Sequence, residues 1–277
     1  MYVVQRPFFL WQNVSMSVQD ELVLGGESGK GFYPIERKLV IAVTSSALFD
    51  MTESNRVFVE EGREKYQEYQ LSHIDEIFKP GVAFPFISRL LALNAHVNGK
   101  KRSVDVPEHD RFIEVVLFSR NSPATGMRAF RSIQHYELDI SRACFSSGST
   151  NFQYLDAFNS LLYLSTNEDD VKSAMAAGYT AGLVRPQSDY IDKDEEDFEL
   201  RIAFDFDGVI ADLSAERVTQ EKGIESFANH EVQNAQIPLG EGPLKRFLVQ
   251  ISRLQQLERE KYEHRKRKGK GERRSIR

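Results

Sequence analysis

Cysteine is almost absent. Cys144 is the only one in 277 residues, so the chain cannot close a disulfide on itself and a reducing compartment is expected. Long apolar runs are missing too, and nothing approaches the roughly 20 residues that a membrane-spanning helix needs. The N-terminal RPFFLW is too short and too polar at its flanks for a secretory signal. Six histidines show no metal-ligand spacing; His73, His135 and His230 read as surface or helix-end residues. There is no surplus of positive charge: the net charge of −5 argues against a nucleic-acid binder. The glycine cluster GGESGKG lacks the spacing and the GK[ST] ending of a phosphate-binding loop, so it reads as a plain loop. Tryptophan is as scarce as cysteine, and Trp11 is expected to anchor the N-terminal segment onto the rest of the chain. These absences predict a soluble, cytoplasmic protein with neither membrane nor nucleic acid as a partner.

What is present is a regular alternation. KLVIAV (38–43), FIEVVLFS (112–119), SLLYLS (160–165) and TAGLV (180–184) read as strands. Between them RVFVEEGREKYQEYQ (56–70), AFPFISRLLALN (83–94), GMRAFRSIQHY (126–136) and EDDVKSAMAAG (168–178) read as helices. Strands interleaved with helices predict an α/β fold, a parallel sheet with helices on both faces. The acidic stretch SDYIDKDEEDFE (188–199) reads as a linker, and LRIAFDFDGVIAD (200–212) beyond it as a further strand.

A repeat links the two halves. LVIAVTSSALFDMTESNRVFVEEG (39–62) resembles LRIAFDFDGVIADLSAERVTQEKG (200–223), and KPGVAFPFISRLLAL (79–93) parallels GEGPLKRFLVQISRL (240–254). The expected organisation is an N-terminal extension (1–37), a first unit (38–187), the linker (188–199), a second unit with a helical cap over its site (200–257) and a basic tail (258–277). The tail, EREKYEHRKRKGKGERRSIR, reads as a solvated helix end without the interleaved aromatics of a nucleic-acid patch. In the first unit the next strand opens at Ile113; the matching position in the second falls at 274. The second unit is therefore expected to be incomplete, with an unpaired sheet edge prone to homo-oligomer formation.

The chemistry concentrates in IAFDFDGVIADL (202–213). Where a chain turns at the carboxyl end of a strand, Asp205 and Asp207 can approach one point in the crevice where open α/β sheets bind ligands. Phe206 between them is expected to pack into the core, and Gly208 to permit the turn. Two carboxylates this close repel unless a cation lies between them or one is protonated. Mg²⁺, with its preference for hard oxygen ligands and phosphate substrates, suits them. One carboxylate could then attack phosphorus while the other serves as acid and base.

FDFDGVIAD resembles the first signature of the haloacid dehalogenase (HAD) superfamily of aspartate-nucleophile phosphatases. LVIAVTSSALFDMTESNRVFVEEG, KPGVAFPFISRLLALN, EVVLFSRNSPATGMRAFRSIQHY, LYLSTNEDDVKSAMAAG and RIAFDFDGVIADLSAER…PLGEGPLKRFL together resemble its cytosolic 5'-nucleotidase I family. The resemblance implies a HAD-like Rossmannoid fold, with Asp205 as nucleophile forming an aspartyl-phosphate and Asp207 as acid/base. It implies that both residues serve Mg²⁺, Asp207 also through its backbone carbonyl, and that a nucleoside 5'-monophosphate is the substrate. Family members usually read closer to F-D-G-D-A-V-L-F-S-D-E; Phe206, Gly208 and Asp212-Leu213 bring this chain nearer the general superfamily pattern. They also continue with a strand ending in Thr, then a Lys, then an Asp-Asp pair, which the resemblance places beyond residue 277.

In the first unit Thr44 and Ser46 stand where the second has Asp205 and Asp207. Ser119 ends its second strand, Asp170 lies in an acidic segment, and Asp156 stands where a lysine is wanted. Two readings stand. The first unit is a degenerate, non-catalytic copy, or Ser119 and Asp170 complete a composite site with Asp205 and Asp207. A non-catalytic nucleotide-binding or regulatory protein of the same descent is the alternative to an enzyme. Arg120 and Asn121 follow Ser119 where a loop would cap the next helix or touch a phosphate. Lys245, near a helix start after Pro243, reads as solvated.

Overall fold

The computed structural model describes residues 37–185, 199–213, 232, 234, 236, 237 and 239–267. Trp11, His230, nearly all of the acidic linker, most of the expected cap and the end of the basic tail lie outside them.

Five strands form one parallel sheet in the order β3-β2-β1-β4-β5. They are β1 (Leu39–Thr44), β2 (Ile113–Ser119), β3 (Arg142–Phe145), β4 (Leu162–Ser165) and β5 (Ala181–Leu183). Every residue of β1 is buried, as expected of a central strand covered on both faces. Register pairs Ile41 with Val115 on one side and with Leu162 on the other. Side chains alternate between faces: Leu39, Ile41 and Val43 enter the larger core cluster, Val40 and Ala42 the smaller.

The helices are α1 (Ser45–Leu48, one turn), α2 (Thr52–Ser72), α3 (Phe84–Asn98), α4 (Pro123–His135), α5 (Glu168–Ala176) and α6 (Lys245–Arg267). Ile87, Leu90 and Leu91 of α3, Ala129 and Ile133 of α4, and Phe247, Ile251 and Leu254 of α6 pack on the larger face. Ala174 of α5 joins Val40, Phe118 and Tyr163 on the other. The sequence expected α2 over 56–70; it begins at Thr52 and is kinked at Gly62, where φ is 85° and ψ −176°. A capping box starts α4: the Ser122 hydroxyl accepts from Thr125 N, and Thr125 Oγ1 accepts from Ser122 N. His73 sits at the C-cap of α2 and His135 ends α4, both helix-end positions.

Three points differ from the sequence reading. β3 was not expected. It is a short edge strand whose Arg142 forms an ion pair with Glu114 of β2. The stretch 200–212 is not a strand: residues 201–205 join no ladder, and only isolated bridges, Asp207 to Ala211 and Ala211 to Glu241, tie the turn that follows. A strand is completed by neighbours, and this stretch instead lays Ile202 and Phe204 against the first unit's core. Phe204 meets Phe247 edge-on at 6.1 Å. With no strand there, the expected second sheet edge does not exist among the described residues. Finally, Phe206 does not enter the core; it is 42% exposed. On a tight turn the side-chain alternation of a strand no longer applies, so Phe206 points out with its neighbours.

No helix among the described residues is long and apolar enough to cross a membrane. Cys144 is a free thiol.

Candidate active site

The aspartate pair sits on a closed turn. Phe206 O accepts from both Ile210 N and Ala211 N at 3.0 Å, and Gly208 between them has φ +72°, which favours glycine. A second loop clasps this turn: Asp212 N donates to Gly240 O, Gly242 N to Ile210 O, and Leu244 N to Val209 O. Gly242 is required by this approach, because a Cβ there would come within 2.6 Å of the Ile210 carbonyl carbon. The glycines of GEGPLK, which sequence reasoning used only to align the repeat, are thus the seat of the turn.

Asp205 and Asp207 are both exposed on it. Asp205 Oδ1 accepts from Phe206 N at 2.8 Å, which fixes one oxygen and leaves the other open. The Asp207 side chain makes no hydrogen bond or ion pair among the described residues. Among the described residues no arginine or lysine neutralises either carboxylate, so both keep the hard oxygens that Mg²⁺ prefers. They are two donors only. Among the described residues no group of three or more His, Cys, Asp or Glu is placed to hold a metal ion. Lys245, the nearby cation that opens α6, is paired with Glu241.

A second polar centre lies at the carboxyl-terminal crest of the sheet, where the strand order reverses between β1 and β4. Thr44 Oγ1 and Ser46 Oγ are 3.3 Å apart, and Ser46 Oγ lies 2.7 Å from Thr166 Oγ1 across the crevice. Ser45 Oγ meets Ser119 Oγ at 3.2 Å. Asp170, 4% exposed, is held by Arg120 and has its backbone amide bound by Asn167 Oδ1 at 3.0 Å. Helix α2 leans over this crest: Tyr66 donates to Asn121 Oδ1 at 2.7 Å, and Arg63 to Ser147 O at 3.3 Å. Burial pushes the Tyr66 phenol above its ordinary range.

The two centres are not joined. Ser119 and Asp170 are engaged by Ser45 and Arg120, and no contact among the described residues links either to Asp205 or Asp207. The loop that clasps the aspartate turn meets the first unit at Thr180, whose hydroxyl donates to Pro243 O at 2.9 Å. Thr180 precedes β5 and so lies at the amino-terminal edge of the parallel sheet, opposite the crest. The geometry gives no support to a composite site. Asp156 accepts from Tyr179 at 3.1 Å, outside both centres.

A protein-family model described as 5'-nucleotidase matches residues 32–270. Human "Cytosolic 5'-nucleotidase 1B" is 35% identical over 217 residues, 78% of this chain and 34% of the relative. The chain thus spans about a third of that curated relative's length. No solved structure matches. The match over most of its length shows that the chain belongs to the 5'-nucleotidase family.

Proposed function

We propose that this chain carries the phosphoryl-accepting aspartates of a 5'-nucleotidase that converts nucleoside 5'-monophosphates to nucleoside and phosphate. The observation that carries the reading is the exposed Asp205-Phe206-Asp207 turn, with no cationic partner at either carboxylate among the described residues. In the proposed reaction the open oxygen of Asp205 attacks phosphorus, and the ester bond to the nucleoside O5' breaks as Asp207 delivers a proton to it. Water, giving its proton to Asp207, then attacks the aspartyl-phosphate and releases phosphate, restoring both carboxyl groups. Asp205 and Asp207, with the Asp207 carbonyl, would hold Mg²⁺, which supplies charge neutralisation for the phosphoryl group. The cytosol named for the human relative and the free Cys144 support a cytosolic location.

Among the described residues the aspartate turn has no lysine to clamp a phosphate and no third acid to complete a metal shell. Turnover by the isolated chain is therefore expected below the roughly 1–10³ s⁻¹ of ordinary enzymes. The test is phosphate release from AMP with Mg²⁺. Slow release that is EDTA-sensitive and falls to background in Asp205→Asn supports the reading. Release that Asp205→Asn leaves unchanged refutes it.

A further inference from the structure

We infer that the crest of the first unit is a second, metal-independent anion site, taking inorganic phosphate or the phosphate of a monoester through Arg120 and the Ser46 and Thr166 hydroxyls. The inference does not rest on the role proposed for Asp205.

The repeat aligns Thr44 and Ser46 with Asp205 and Asp207, so the two carboxylates that would demand a cation in the second unit are hydroxyls in the first. Hydroxyls donate to an anion where carboxylates repel it. The crevice they line lies at the reversal of strand order, the position at which open α/β sheets receive ligands. Thr44 is buried, whereas Ser46 is exposed and Thr166 half-buried, so the hydroxyl row reaches the surface at those two residues.

The remaining acid of this crest is already neutralised from within. Asp170 is buried and takes one Nη2–H of Arg120, whose side chain is 43% exposed. A guanidinium has five N–H donors, and among the described residues the Arg120 side chain makes no hydrogen bond besides that to Asp170. Arg120 therefore stands beside Asp170 where a carboxylate site would need a metal ion, and its half-exposed side chain keeps donors that Asp170 does not use. Two further positive groups belong to the surroundings, Arg63 of α2 above the crest and Arg185, whose charge acts on Glu168. Against them stand Glu168, which is paired to Lys172 at 2.8 Å, and Asp169, exposed on the first turn of α5. Asp50 is occupied by Thr52. The balance at the crevice favours an anion, and α4 begins beside Arg120 with no acid in its first turn.

The test titrates the full chain with inorganic phosphate in EDTA, by calorimetry or ³¹P line broadening. Saturable binding is expected, unchanged in Asp205→Asn. Losing a charge-assisted hydrogen bond should weaken it about 10- to 100-fold in Arg120→Met. Because that variant leaves Asp170 buried and unpaired, Ser46→Asp serves as the second variant. It places a negative charge in an exposed position, leaves the Arg120–Asp170 pair intact and should weaken binding at least as much. No saturable binding in EDTA overturns the inference. So does binding that Ser46→Asp leaves intact, or binding lost in Asp205→Asn.

Discussion

Removing Arg120 should harm the fold more than removing the acid it neutralises. The two partners are unequally buried: the Asp170 side chain is 5% exposed and that of Arg120 43%. In Arg120→Met, Asp170 keeps one neutral contact, its amide at Asn167, but its carboxylate loses its counter-charge in a place where water cannot replace it. Breaking a buried pair from this side costs about 3–5 kcal/mol. Arg120 is half in solvent, and the exposure brings the expected cost to the low end, about 3 kcal/mol. In Asp170→Asn the orphaned guanidinium can turn to water, and the cost should stay near the ~1 kcal/mol of an exposed pair. The double variant Arg120→Met/Asp170→Asn should recover most of the loss of the first, since no buried charge remains. Urea unfolding followed by circular dichroism gives all three values. At roughly 2–4 °C per kcal/mol for a domain of this size, the melting temperatures should separate by several degrees. Equal losses in the two single variants, or an Arg120→Met loss under about 1 kcal/mol, would show that Asp170 is not a buried charge depending on Arg120.

Two further substitutions probe how the sheet is tied together. Asn94, fully buried on α3, accepts from Phe112 N at 3.0 Å and Ile113 N at 3.1 Å and donates to Ile113 O at 2.8 Å, closing the start of β2. Asn94→Ala should cost about 3 kcal/mol, roughly one per bond, and speed amide exchange at residues 112 and 113; a loss under about 1 kcal/mol would refute the assignment. Asp50 Oδ1 accepts from Thr52 N at 3.0 Å and Thr52 Oγ1 at 2.6 Å, and these bonds hold its carboxyl below the usual aspartate range. A lowered carboxyl stabilises the fold above the ordinary aspartate range and loses that contribution as pH falls through the lowered value. The stability difference between the wild type and Asp50→Ala, about 1 kcal/mol as for a net hydrogen bond, should therefore be flat from neutral pH down and vanish only in acid; a difference that persists there would contradict it.

Much of this architecture can be read from the chain because buried parallel strands are continuous apolar runs. Leu39–Thr44 and Ile113–Ser119 announce themselves in that way. Arg142–Phe145 does not, since an edge strand of four half-buried residues carries an arginine that only its partners, Glu114 and the Phe158 ring, explain. The run at 200–207 shows the opposite failure. It has the alternation of a strand, but residues 201–205 join no ladder, and its apolar side chains are absorbed by Phe247 and the core instead. Of the polar centres, the aspartate pair was visible because its two residues and Gly208 fall within one run of four, Asp205 to Gly208. The crest had its members singled out one at a time, Ser119, Arg120 and Asp170. That Arg120 neutralises Asp170 could not be read, because the ends of β2 and β4 come together only across β1.

The two repeats meet the same electrostatic problem in different ways. The turn at Asp205 and Asp207 keeps two exposed acids without a cationic partner among the described residues, an arrangement that gains from a divalent cation. At the corresponding positions of the first unit the acids are hydroxyls, and Asp170, the buried acid at its crest, carries its own guanidinium. If the roles proposed for them hold, a centre of the first kind depends on chelatable metal and one of the second kind does not. Chelation should therefore divide the molecule's dealings with phosphate in two, silencing whatever passes through Asp205 while leaving whatever is held by Arg120. The division follows from which residues carry charge at each turn, and it holds whatever the base or sugar of the nucleotide, since neither turn needs to touch them to tell an anion from a cation.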